Sequence, residues 1–409
     1  MKDLRTSLAL LSILALAVAA VASGALTPKG DSHGSMSGMH MTTSHSSAAS
    51  PRAVGLRIAL NQLLGEHAIL AIQATQRGLV GGKDFNAVAK TLDQNSVAIS
   101  KAIGSVYGPA AANEFLNGKN LWRAHINDFV DYTVATAKHD KAAQKKAVAK
   151  LTAYIQTQAA FFAKATGLPK QELVNDLTAH VLQLKGQLDA FAQGHYAQAY
   201  ALTNGAYEHM GMTADLLAGA IAKQKHLGSI SSPEADLEVD LDRLLGEHAL
   251  LATWATQAGL NGDKNFPALA RQLDTNSVAI SKAIESLYGS AAATQFLNGA
   301  NLWRAHINDF VAYTVATAKH DKAGQKKAVA DLMAYIQTQA AFFAKAIGLP
   351  KQALANDLTA HVLQLKGALD DYSAKRYGAT FALVSGAYDH MFMTGHVLAG
   401  GIAKQKGLK

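Results

Sequence analysis

Apolar residues recur every three or four positions along most of this chain, with polar residues on the intervening faces. Between about 54 and 77 the stripe runs through Leu56, Leu60, Leu63, Leu70 and Ala74. Residues at this spacing share one face of an α-helix, so the segment reads as amphipathic helix. The same period continues over about 85–106, 109–137, 141–166, 170–192 and 196–223. Each segment ends where a helix is hard to continue: Gly81-Gly82, Tyr107-Gly108-Pro109, His139-Asp140, Gly167-Leu168-Pro169 and Gly194. Alternating β-branched residues are scarce, whereas the strong helix formers Ala, Leu, Gln and Lys abound. The pattern predicts an all-α protein.

The pattern then repeats. Asn120–Phe129 returns unchanged as Asn301–Phe310, 181 residues later. Of the 22 positions from Lys119 to Asp140, 20 are identical in Ala300–Asp321. The expected fold is therefore a tandem duplication of an antiparallel helical-bundle domain, with about six helices per repeat. The expected division is a first bundle over 53–228, a Ser- and Gly-containing linker at 229–234, and a second bundle over 235–409. At about 180 residues, each repeat is long enough to bury its own core.

The N-terminus departs from this period. Lys2 and Arg5 precede an apolar run from Leu8 to Ala22, which reads as a secretory signal peptide over 1–22. The expected location is secreted, periplasmic or cell-surface, with no transmembrane segment after cleavage. Residues 23–52 carry Ser, Gly, Thr, His33, Met36, Met39, His40, Met41 and His45. This composition predicts disorder, and mixed imidazole and thioether groups suit copper.

Composition removes several classes of chemistry. With no cysteine in 409 residues, disulfides, thiolate metal ligands, iron–sulfur clusters and a cysteine nucleophile are excluded. The net charge of +8 is spread along helices, which argues against nucleic acid as a partner. The His-Glu-x-x-His, phosphate-loop and dinucleotide signatures do not occur.

Candidate chemistry lies where polar residues interrupt apolar stripes. His67, His125, His180 and His209 each take a position where the helical period calls for a hydrophobic residue. Glu66, Asp128 and Glu208 stand beside three of them, and Asn95 and Gln158 occupy comparable places on two further helices. The second repeat carries Glu247, His248, His306, Asp309, His361, Asp389 and His390. Other positions have drifted between the copies, such as Asp131 to Ala312, His195 to Arg376 and Asp215 to His396. The histidine and carboxylate set keeps its character.

Buried polar groups require partners, and a bundle commonly builds a metal site from facing helices. Imidazoles with carboxylates suit a divalent transition metal: Fe, Mn, Cu or Zn. Carboxylates and histidines on long bundle helices resemble the ferritin-like di-iron proteins, which implies di-metal redox chemistry. The Glu-x-x-His pair of that family does not occur in this chain. The leading expectation is an exported metal-binding protein, serving storage, carriage or di-metal redox chemistry. The alternatives are a metal-free secreted protein that self-assembles as a homo-oligomer or surface layer, and non-covalent haem held by paired histidines.

Overall fold

Caps and turns set the helix limits. Asp140 accepts a hydrogen bond from the Ala143 amide, 2.9 Å away, and Asp321 does the same for Gly324. The histidine before each cap, His139 or His320, adopts a left-handed conformation that closes the preceding helix. Gly167 and Gly348 close the next helices in left-handed conformation, and Pro169 and Pro350 then open the following ones.

The computed structural model describes residues 52–408. The expected signal peptide and the His/Met-rich segment lie outside these residues. Fourteen helices and no strand occur among the described residues. The first repeat holds α1 (Arg52–Leu79), α2 (Phe85–Tyr107), α3 (Pro109–Asn117), α4 (Trp122–Ala137), α5 (Lys141–Thr166), α6 (Lys170–Ala192) and α7 (Tyr196–Gln224). The second holds α8 (Pro233–Asn261), α9 (Phe266–Tyr288), α10 (Ser290–Asn298), α11 (Trp303–Ala318), α12 (Lys322–Ile347), α13 (Lys351–Ser373) and α14 (Tyr377–Lys406). Every helix of the second repeat starts 181 residues after its counterpart. No helix among the described residues is long and apolar enough to cross a membrane.

Two boundaries differ from the sequence reading. The helix expected over 109–137 is two helices, because the chain turns sharply between Asn117 and Trp122. Gly118 is extended there and Asn120 is left-handed, with φ 54°. A Cβ on Gly118 would lie only 2.6 Å from Leu121 Cδ1. His125 is consequently in the first turn of α4 and not at mid-helix. The second difference is at the linker, which spans 225–232. Ser232 caps α8 by accepting from the Ala235 amide, and Pro233 takes the first helical position, where a missing N–H costs nothing.

Helix α1 packs against α2, α4, α6 and α7, and α8 packs against α9, α11, α13 and α14. These two central helices also touch each other, while α7 meets α9 and α14 meets α2. One continuous apolar core therefore runs through both repeats. At their junction the Tyr207 hydroxyl donates to the Arg243 carbonyl (3.0 Å), and the Tyr388 hydroxyl donates to the Gln62 carbonyl (2.9 Å). Gly65 and Gly246 leave room for these rings. A Cβ on Gly65 would stand 2.7 Å from Tyr388 Oη, and one on Gly246 would stand 2.7 Å from Tyr388 Cε2.

Burial explains why α1 carries polar groups in several directions. Every residue from Leu64 to Leu70 is buried, so no face of this stretch is left to solvent. Successive side chains point about 100° apart on a helix. Neighbours such as Glu66 and His67 must then enter different parts of the interior.

Candidate metal centre

Helices α1, α4 and α6 bring His67, His125 and His180 together. All three are buried, and one nitrogen from each lies within 4.8 Å of the other two. The His67 ring centroid is 5.6 Å from that of His125 and 6.2 Å from that of His180. The second repeat keeps the ring spacing with His248, His306 and His361, at 5.4 and 6.1 Å, while convergence of one nitrogen from each ring within 4.8 Å is met by the first triad. His248 Nε2 and His306 Nε2 are 3.3 Å apart. Two nitrogens bound to one tetrahedral zinc at about 2.0–2.1 Å would be separated by roughly 3.3–3.4 Å.

Aromatic neighbours hold the rings in place. Trp122 packs 4.6 Å from His67, and Tyr154 stacks on His125 at 4.5 Å. Trp303 and Tyr335 repeat these contacts at 4.7 and 4.5 Å. The Trp122 and Trp303 indole N–H groups donate to Ser96 and Ser277, which fixes the indoles in turn.

Burial favours neutral imidazoles. It pushes His125 and His306 down to about 3, assisted by His180 and His361 and opposed by the Trp122 and Trp303 carbonyls. His67, His180, His248 and His361 also fall well below the ordinary histidine range, with desolvation as the first cause. Neutral imidazole is the form that ligates a metal, so neutral pH imposes no proton competition here. Neither ring nitrogen of His67 has a hydrogen-bond partner, and Nδ1 of each other triad histidine is likewise unpartnered. Fully buried Gln158, one turn beyond Tyr154, leaves both amide atoms unbonded, as does Gln339 in the second repeat. Buried polar atoms without partners are uncommon in folded proteins.

The remaining candidates are directed elsewhere. Glu66 accepts from Ser385 (2.6 Å) and Asn95 (2.9 Å) at the junction of the repeats. Glu247 accepts from Asn276 at 2.9 Å, and burial pushes its carboxyl up to about 7. Asp128 lies 3.7 Å from Lys150 on α5, and Asp309 is half-buried with Asp331 and Lys327 nearby. Glu208 and Asp389 are exposed and accept from Asn204 and Gln62. His209 Nε2 lies 3.0 Å from the Asp176 carbonyl, and His390 Nε2 lies 3.1 Å from that of Asp357. Thr213 and Thr394 donate to the same two aspartates. Asp176 and Asp357 were missed in the sequence, although each precedes a triad histidine by four residues and so shares its helix face.

An apolar pocket leads to each triad. The first, of about 190 Å³, reaches His67 and His125 between Ala71, Phe85, Ile126 and Phe129. The second, of about 460 Å³, reaches His248 and His306 between Ala252, Phe266, Ile307 and Phe310.

Comparison with known proteins finds no matching family model, no significantly similar curated protein and no significantly similar solved structure. The functional reading therefore rests on the chemistry of the two triads.

Proposed function

We propose that this chain is an exported metal-binding protein, built by duplication of one antiparallel helical bundle, and that each repeat holds one transition-metal ion. His67, His125 and His180 would ligate the first ion, and His248, His306 and His361 the second. One observation carries the reading: three buried imidazoles from three helices present converging nitrogens, and His67 has no other partner for either of its own. Three imidazoles without a converging carboxylate favour Cu, Zn or Fe over oxygen-seeking Mn, and a mononuclear site over a bridged di-metal pair. The three-histidine set also leaves one position free, as in catalytic zinc sites. Storage, carriage and catalysis all draw on the same ligands.

The experiment is elemental analysis of the untagged full chain after loading with Cu, Zn or Fe. Beyond the ions that a peptide of residues 23–52 takes up under the same treatment, about two ions per chain are expected, falling to one in His125→Ala and to none in His125→Ala/His306→Ala with helicity retained. An excess unaffected by the double replacement would overturn the reading.

A metal-free polar core is the competing reading, supported by the 3.3 Å approach of His248 and His306, which a single N–H···N bond would also explain. It expects no ion beyond those of the peptide in the same experiment. Haem is less well supported, because Trp122 and Tyr154 fill the space beside His67 and His125 that a macrocycle would need.

A further inference from the structure

The pockets suggest what could reach the free side of each ion. Only two of the three imidazoles line each pocket: His67 and His125 in the first, His248 and His306 in the second. The third, His180 or His361, stands behind them. An ion held by all three would be approached from the pocket side, past His67 and His125 or past His248 and His306.

The walls are mostly apolar: of the polar residues in the first pocket, Thr75 and Thr133 donate their hydroxyls to the Ile72 and Phe129 carbonyls, and Asn86 and Asn127 also line it. In the first pocket the charged side chains are Lys90, Asp93 and Arg123; in the second they are Asp263, which pairs with Arg77 at 3.2 Å, Lys264 and Lys319. Asp93 and Arg123 neutralise each other through two hydrogen bonds of 2.9 and 3.0 Å. No free carboxylate or imidazole is left there to act as a general base on a metal-bound water. The floor is also tight: His67 is 0% and His125 2% exposed although both line the cavity. Water gains little from entering such a passage, because an apolar wall returns none of its hydrogen bonds.

We infer that each pocket admits a small, weakly polar diatomic ligand, of the class of dioxygen or carbon monoxide, to the free position of the metal. This rests on the three-histidine reading. Ala71 is the gate in the first repeat. It lies one turn beyond His67 on α1 and lines the cavity, and Ala252 is its counterpart beyond His248. A larger side chain at either position would occupy the passage and leave the three imidazoles in place.

The test uses the full chain loaded with Cu(I) under exclusion of oxygen, with carbon monoxide as the probe. Copper stoichiometry reports the triads, and the infrared C–O stretching band reports the free position. The wild type should bind two copper ions more than His125→Ala/His306→Ala, in which only the His/Met-rich segment of 23–52 is left to hold copper, and should show a band that this double variant lacks. Ala71→Phe should keep both ions and lose about half of the band, and Ala252→Phe should lose the other half. Ala71→Leu and Ala252→Leu provide milder fillings should phenylalanine disturb folding. Copper bound with no band, or a band unaltered in copper-replete filled variants, would overturn the inference and leave the triads standing. Failure of the wild type to bind more copper than the double variant would overturn the inference together with its Cu(I) site.

Discussion

Glu66 and His67 share a peptide bond and serve different sides of α1, about 100° apart. The Glu66 carboxylate accepts from Ser385 of the other repeat, 2.6 Å away, while the His67 ring packs 4.6 Å from Trp122 and faces His125 and His180. One helix turn thus joins the repeat junction to the histidine cluster, and consequences for stability follow from both sides.

The histidines make the metal-free protein acid-sensitive. The unfolded chain takes up protons on imidazole near the ordinary pKa of 6.5, while the folded chain holds these groups neutral well below that. The unfolded state then binds more protons, so stability is full above about pH 6.5 and falls as pH drops toward the depressed folded values. Urea midpoints measured between pH 7 and pH 4 should decline. His125→Gln with His306→Gln should make that decline shallower. An unchanged slope would mean that these rings titrate normally.

Glu247 acts in the opposite direction. Its folded carboxyl is raised to about 7, first by burial, against Asn276 as donor. The unfolded carboxyl releases its proton near 4.5, so this group destabilises the fold as pH rises through the interval from about 4.5 to 7. Glu247→Gln should therefore stabilise the protein at pH 8 by roughly 2–4 kcal/mol and have little effect at pH 4. Equal effects at both pH values would assign the change to packing.

Gln158 and Gln339 are fully buried with both amide atoms unbonded. Replacement of either by Met keeps similar volume and removes a desolvated amide. A gain of about 1–3 kcal/mol in metal-free stability is expected by chemical denaturation. A loss instead would show that the amides have partners in solution.

The glycines of α1 are not equivalent. Gly65→Ala would drive a methyl to 2.7 Å from Tyr388 Oη and 2.9 Å from Tyr207 Cε2. A loss of about 1–3 kcal/mol is expected from such overpacking. Gly55 has nothing within 4 Å of its added Cβ. Gly55→Ala should therefore gain about 0.5–1 kcal/mol from helix propensity. Thermal melts of the two variants should move in opposite directions.

Local periodicity was sufficient to place most of the helices, because apolar spacing and breakers set them, but it ran α3 and α4 together as one. The repeat was equally plain, since Asn120–Phe129 and Asn301–Phe310 are the same words. The sequence also marked the histidines as residues out of place on apolar stripes. Which of them meet was a tertiary matter. His67, His125 and His180 converge because α1, α4 and α6 pack together. His209 lies against the Asp176 backbone, and the carboxylates turn to Ser385, Lys150 and Asn204. A one-residue step rotates a side chain by about 100°, so neighbours in sequence enter different environments. The break at Gly118–Asn120 is local, an extended glycine and a left-handed asparagine close to Leu121, and the apolar period passed over it. The sequence by itself determined helices, repeat and candidate donors, all properties of short windows. Packing among helices distant in the chain alone decided the triads, their pockets and the shared core.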